Sequence, residues 1–475
     1  MPVVPWGDVG SQMTDDVFSL PLAQLQRALR DGRLTSVALA EAAIARYQAV
    51  GERLQAYKAR DEEQLRRDAR LADAAFAGGR DLGPLQGIPV SVKDLFGLRG
   101  YPVYAGAAQR LPAEFENDGP LVDRLRRQGS VFTGKTHTVE FAFGGLGTNS
   151  TWGTPTNPWD AGQHRVPGGS SAGAGVSLVC DALVALGTDT AGSVRIPASM
   201  TGQVGLKTSY GRWSTEGIVP LSSSMDSAGV LTRSVADLRA AIGALDSGFS
   251  DSGAAPAELS QVRAGVIDEY FWEECSPGIA EAVRQAIGEL ERAGVRLQRV
   301  KLPELQPMHE IFMLGHLAAA ELQEFLQSCL PGRLETLTPQ VASRVEAARA
   351  MPAGEYLRRR RVLRDLGVSA AAHLADIDVL LTPTVAVTPP VVADLAQPDA
   401  YRRANLLALR NTCPGNLLSL CALTLPVGLD AQRMPVGLQL MARHGSDDKL
   451  LLIAAAFERL LGNPVQRLGR APLAG

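Results

Sequence analysis

Three residues carry the chemistry this sequence offers: a lysine that closes an apolar run and two serines in glycine-rich frames. Lys93 lies in Gly87-Ile88-Pro89-Val90-Ser91-Val92-Lys93-Asp94, Ser170 in Pro167-Gly168-Gly169-Ser170-Ser171-Ala172-Gly173, and Ser193 closes Gly187-Thr188-Asp189-Thr190-Ala191-Gly192-Ser193. A serine hydroxyl is a weak nucleophile until a base takes its proton. Lysine can be that base where burial disfavours the ammonium and leaves the neutral amine near pH 7. The apolar run Ile88–Val92 reads as a buried strand and supplies such a setting for Lys93. The competing reading, an ion pair with Asp94, is weakened because neighbouring strand side chains point to opposite faces. Gly168 and Gly169 permit the sharp bend that carries Ser170, and Ser171 reads as structural support beside it. The turn after Ala182–Leu186 presents backbone N–H groups of Thr190, Ala191, Gly192 and Ser193, which can form an oxyanion hole. Together these frames predict acyl transfer through Ser193, with Ser170 as relay and Lys93 as base.

Two other motifs are set aside on context. Gly129-Ser130-Val131-Phe132-Thr133-Gly134-Lys135-Thr136 fits a phosphate-binding loop by letter. That loop must follow a strand and open a helix. Here Pro120–Gln128 reads as an amphipathic helix, Gly129 as its terminating glycine and Ser130–Thr133 as a strand. Gly169–Gly173 matches the G-x-S-x-G elbow, which needs an apolar strand before it and a triad histidine after it. A polar loop, Asn157–Pro167, precedes it instead, and none of His309, His316, His373 and His444 stands in a triad-like frame.

The run from about Leu85 to Asp237, with all three frames in it, resembles the amidase signature family. The segments Gly153–Asp160, Leu380–Thr384 and Leu425–Arg443 share the resemblance, and residues 250–375 share it least. Ala191 stands where that family usually has glycine, and the two serines are one residue closer than in its commonest pattern. The resemblance implies a Lys–cis-Ser–Ser triad of Lys93, Ser170 and Ser193. It implies one α/β/α domain around a large mixed central sheet, with no metal or other cofactor. It also implies a C–N hydrolase; the family spans amidases, enzymes of ureido or carbamate bonds, and the glutaminase component of tRNA-dependent amidotransferases.

The elements that must position these residues can be traced along the chain. After a leader at residues 1–18, helices are expected over Leu20–Arg30, Ser36–Val50 (capped by Thr35 or Ser36) and Arg60–Ala77. Strands and helices alternate from Ile88 to Val235, as in an α/β core. A weak boundary falls at Ser247–Ala257, followed by a strand at Val262–Ile267. Residues 268–375 read as a helical insertion or cap, and strands return at Val379–Pro383 and Ala422–Val427. The chain is thus expected to be one domain, with core at about 85–237 and 376–460 and N-terminal helices at 19–77.

Composition sets the outer bounds. Hydrophobic residues at 45% beside 20% charged residues suit a globular protein with a sizeable core. A net charge of −3 gives no electrostatic reason for nucleic acid or an anionic membrane surface. The five cysteines, Cys180, Cys275, Cys329, Cys413 and Cys421, lack paired or metal-ligand spacing, which points to reduced thiols and a cytoplasmic setting. Substrate contacts are expected from Phe141–Gly147 (Phe143, Gly144 and Gly145 above all), from Ser222–Ser227, and from Met308–His316 through Met313. Those walls offer Asp226 and Glu310 but no arginine, which favours a small neutral or aryl amide, ester or carbamate over glutamine. A stand-alone monomer or homo-oligomer is expected on the same ground.

Overall fold

Eleven strands form one sheet in this computed structural model, which describes residues 17–249, 257–315 and 317–474. In chain order they are β1 (Tyr57–Ala59), β2 (Pro89–Lys93), β3 (Val131–Thr136), β4 (Val184–Asp189), β5 (Val204–Lys207) and β6 (Ser227–Thr232). They continue as β7 (Arg263–Val266), β8 (Arg296–Arg299), β9 (Val379–Pro383), β10 (Cys421–Leu429) and β11 (Pro435–Ala442). Their order across the sheet is β1-β3-β2-β4-β6-β5-β10-β11-β9-β7-β8. The pairs β3–β2 and β2–β4 are parallel, as are β9–β7 and β7–β8; the middle, from β4 through β6, β5, β10 and β11 to β9, is antiparallel. Every residue of β2, β3, β4, β5, β6, β9 and β11 is buried. Helices therefore cover both faces, and these strands show no alternation of buried and exposed residues; their buried polar side chains, such as Lys93 in β2 and Lys135 in β3, find partners inside the protein.

Local rules account for several of the other elements. The helix Ser36–Arg46 starts where Thr35 Oγ1 accepts the Ala38 N–H at 3.0 Å, and Glu62–Ala77 where Asp61 Oδ1 accepts that of Gln64 at 2.9 Å. The helix Pro120–Arg127 stops before Gly129, whose φ of 71° is left-handed, and β3 follows. Strand after helix is the reverse of a phosphate-binding loop. The all-buried helix Ala172–Cys180 is made of small and aliphatic residues, which lets it lie close against the sheet.

Residues 268–375 are not purely helical. Ile279–Arg292 is a helix, but β8 then extends the sheet edge parallel to β7 before the helices Leu305–Met313, Ala318–Cys329, Pro339–Arg349 and Ala353–His373. Arg296, Leu297, Gln298 and Arg299 are mostly exposed, so β8 has no apolar signature to betray it. The four helices after it share a hydrophobic cluster with Phe141, Phe143, Ala191 and Leu221, and so cover one edge of the core. Residues 1–16 of the expected leader and most of the Ser247–Ala257 boundary lie outside the described residues, as does His316, whereas Val17 and Phe18 are buried in the core. Among the described residues, no helix is long and apolar enough to cross a membrane.

Candidate active site

The parallel neighbours β2 and β4 run in register from Val90 opposite Val184 to Val92 opposite Leu186. Their carboxyl ends therefore lie side by side, where α/β sheets bind ligands. Lys93 ends β2, and the turn after β4 carries Ser193. Ser170 stands just before the helix Ala172–Cys180, after a Gly168 with φ of 83° and a cis Gly169–Ser170 peptide. The Ser171 N–H reaches the Ser193 carbonyl at 3.2 Å and ties the two serine segments together.

Lys93 Nζ lies 2.7 Å from Ser170 Oγ and 2.8 Å from Thr188 Oγ1, and the side chain is wholly buried. Burial pulls its pKa down from 10.5 to about 7, against an opposing pull from the carboxylates of Asp226 and Asp189. Asp94 does not pair with it: that carboxylate sits on the other face, 3.0 Å from Lys135. Ser171 Oγ donates to the Thr188 carbonyl at 3.3 Å, in line with a supporting role.

The turn from Asp189 to Val194 is shaped by one carboxylate. Asp189 accepts the N–H groups of Gly192 (2.8 Å) and Val194 (3.1 Å) and pairs with Arg195 at 2.9 Å, both partners fully buried. Burial would raise its pKa, but Arg195 overrides that and brings it down to about 2. Arg195 is itself held by the Thr412 carbonyl, Gln439 and Asn416. This corrects one expectation. The Gly192 N–H is committed to Asp189, so it is not an oxyanion donor. Those of Thr190, Ala191 and Ser193 make no hydrogen bond among the described residues.

Ser193 lines a cavity of about 700 Å³, together with Thr190, Ala191, Ala142, Phe143 and Gly144. Phe312, Met313, Leu314 and Gly315 form a further wall, so Phe143, Gly144 and Met313 all line the cavity. Gly145 does not: it is absent from the walls, and its N–H bonds Oδ1 of Asn405, itself a wall residue, at 2.8 Å. Residues 222–227 are also absent from the walls, where only the adjoining Leu221 appears. Their part is structural. Asp226 accepts the N–H groups of Leu221 (2.9 Å) and Ser222 (3.0 Å) and the Thr190 hydroxyl (2.5 Å). Burial raises the pKa of Asp226 to about 6, although those donors and Lys93 favour its charged form. Among the described residues no group of three His, Cys, Asp or Glu side chains is arranged as a metal-ligand set. All five cysteines are unpaired, with Cys180, Cys413 and Cys421 buried.

Residues 38–451 match the family model described as Amidase. The chain belongs to the amidase family. It is 52% identical over 456 residues to 2-amino-5-chloromuconic acid deaminase of Comamonas testosteroni, covering 96% of this chain and 99% of that protein. It is 33% identical to a component of the glutamyl-tRNA(Gln) amidotransferase of Salinispora arenicola, over 94% of this chain and 98% of that one. A crystal structure of an amidase superposes with a TM-score of 0.83 at 32% identity, covering 93% of this chain and all of the other. An amide-hydrolysing enzyme follows from these likenesses.

Sequence reasoning misses several residues of this amidase. Arg344, from the helix Pro339–Arg349, and Arg402, from the helix Pro398–Arg410, both line the Ser193 cavity. The expectation of walls without arginine is thereby overturned, because both come from helices outside the segments it considered. Glu321 is equally unannounced. Its carboxylate accepts from Ser222, Ser223, Ser224 and the Tyr356 hydroxyl, and so ties two cap helices to the loop that holds Asp226. No motif marks any of these side chains, and only the fold brings them to the site.

Proposed function

We propose that the chain hydrolyses small linear amides through a covalent ester on Ser193, with Lys93 as ultimate base and Ser170 as proton relay. The observation that carries this is the 2.7 Å contact of Lys93 Nζ with Ser170 Oγ. Burial makes that lysine able to be neutral near pH 7. Ser193 Oγ attacks the carbonyl carbon while its proton passes to Ser170 Oγ, and the Ser170 proton passes to Lys93 Nζ. The carbonyl oxygen becomes an anion facing the N–H groups of Thr190, Ala191 and Ser193, where each donor is worth about 10²–10³ in rate. The C–N bond then breaks as the proton returns along the relay to the leaving nitrogen. Water repeats the cycle on the ester, which releases the acid and restores the Ser193 hydroxyl.

The apolar walls suit alkyl or aryl acyl groups, and the same chemistry extends to esters and carbamates. The chain is proposed to act without companion proteins, as a monomer or homo-oligomer. The 52% likeness to a deaminase named for its action on 2-amino-5-chloromuconic acid favours this over the amidotransferase reading, supported at 33%. The test is the purified chain alone on an aryl amide, an aryl ester, a carbamate, a ureido acid and glutamine, with Ser193→Ala as control. Turnover of uncharged amides that Ser193→Ala abolishes is expected. Activity on glutamine only, and only with added amidotransferase partners, would replace this reading, and full activity in a folded Ser193→Ala would overturn the mechanism.

A further inference from the structure

Resting on the acyl-Ser193 reading, we infer that the Ser193 cavity reads a carboxylate at the far end of its substrate, through Arg344 and Arg402. The class is an amide whose acyl chain carries a free carboxylate, such as the monoamide of a short dicarboxylic acid. Both arginines line the cavity, whose walls hold one carboxylate residue, Asp399, and among the described residues neither arginine makes an ion pair. Arg344 is half-buried and anchored on one side only. One Nη donates to the Phe143 carbonyl at 2.5 Å, and its guanidinium carbon lies 5.2 Å and 5.4 Å from the ring centres of Phe143 and Tyr401. This seat orients the planar group and leaves other N–H donors for a ligand. Arg402 is exposed and makes no hydrogen bond among the described residues.

A guanidinium fork matches a carboxylate in geometry and charge, and such hydrogen bonds are about twice as strong as neutral ones. Leu221, Phe312, Met313, Leu406 and Leu409 supply apolar wall in the same cavity. That combination suits a short hydrocarbon chain between the scissile carbonyl and a terminal carboxylate. An α-amino acid amide would bring an ammonium as well, with Asp399 alone to meet it in a cavity that holds two arginines.

The test compares adipamic acid, the monoamide of a six-carbon dicarboxylic acid, with hexanamide, its uncharged counterpart. Wild type is expected to favour adipamic acid in kcat/KM, and Arg344→Gln and Arg402→Gln to reduce that ratio about 10- to 100-fold, the loss of a charge-assisted hydrogen bond. Adipate should also raise the Tm of wild type and of Ser193→Ala, and raise it less in each arginine variant. No preference for adipamic acid, or an adipate effect equal in wild type and both variants, overturns the inference. The two readings fail separately. A Ser193→Ala enzyme that keeps turnover and the carboxylate preference sinks only the acyl-serine mechanism, whereas a Ser193-dependent enzyme indifferent to the carboxylate sinks only this inference.

Discussion

Replacing Lys93 by methionine is expected to abolish turnover and to change how stability depends on pH. Folded, this lysine is wholly buried and titrates near 7 instead of 10.5. Unfolded, it keeps its proton up to about 10.4. Between those values the unfolded chain binds one proton more than the folded one, so stability rises with pH across that window. The slope is about 1.4 kcal/mol per pH unit, which makes the step from pH 7 to pH 9 worth roughly 2 to 3 kcal/mol. Below about pH 7 both states hold the proton, and the folded wild type bears the full cost of a buried ammonium, roughly 4 to 5 kcal/mol. Methionine fills the space without charge but strands the Ser170 and Thr188 hydroxyls, at about 1 to 3 kcal/mol each. The absolute difference at pH 6 therefore depends on how those hydroxyls re-pair, whereas the change from pH 7 to pH 9 does not. Urea unfolding of both proteins at several pH values measures it, because subtraction removes titrations they share. A difference that stays flat to within about 0.5 kcal/mol from pH 6 to pH 9 would show that folded Lys93 stays charged, and would refute the neutral-base argument.

Three other outcomes follow. In wild type, kcat/KM should climb with pH through about 7 as Lys93 loses its proton; Asp226→Asn removes the carboxylate that favours the ammonium and should move that limb down by about one pH unit. Arg195→Met leaves the buried Asp189 carboxylate unpaired, with an expected loss of about 3 to 5 kcal/mol by urea denaturation; a loss below about 1 kcal/mol would contradict the role given to that pair. Gly192→Ala places a Cβ 2.1 Å from Thr412 Oγ1 at a φ of 138°, and should lower both Tm and kcat; wild-type values for both would mean that the turn relaxes freely.

What the sequence discloses of the site divides along physical lines. Ser170 and Ser193 stand beside glycines demanded by local backbone geometry, and Lys93 closes an apolar run, so one stretch of chain announces each of them. The Gly192 N–H looks available in the sequence because its competitor, the Asp189 side chain, reaches it only once the turn has folded. Gly145 and residues 222–227 are drawn to the walls by proximity in sequence, yet the Gly145 N–H is spent on the wall residue Asn405, and Ser222, Ser223 and Ser224 turn to Glu321, away from the lining. Arg344 and Arg402 sit on charged helices where an arginine is unremarkable until the cavity is seen. In the fold, β9 and β10 are legible as apolar runs. β1 and β8 are not, the first for its three residues and the second for its exposed polar side chains.

Lys93, Ser170 and Ser193 hang from strand ends and an all-buried helix, whereas much of the cavity wall comes from the helices Leu305–Met313, Pro339–Arg349 and Pro398–Arg410. On the proposed mechanism, reactivity and selection are thus encoded in separable stretches of chain. Substitutions at wall positions such as Met313, Arg344 or Arg402 can re-address the enzyme to another amide while the deeply set lysine keeps its burial. Ancestral drift and laboratory evolution alike then have a low-risk region in which to search. A library confined to those three helices would sample substrate choice with the bond-breaking apparatus held constant.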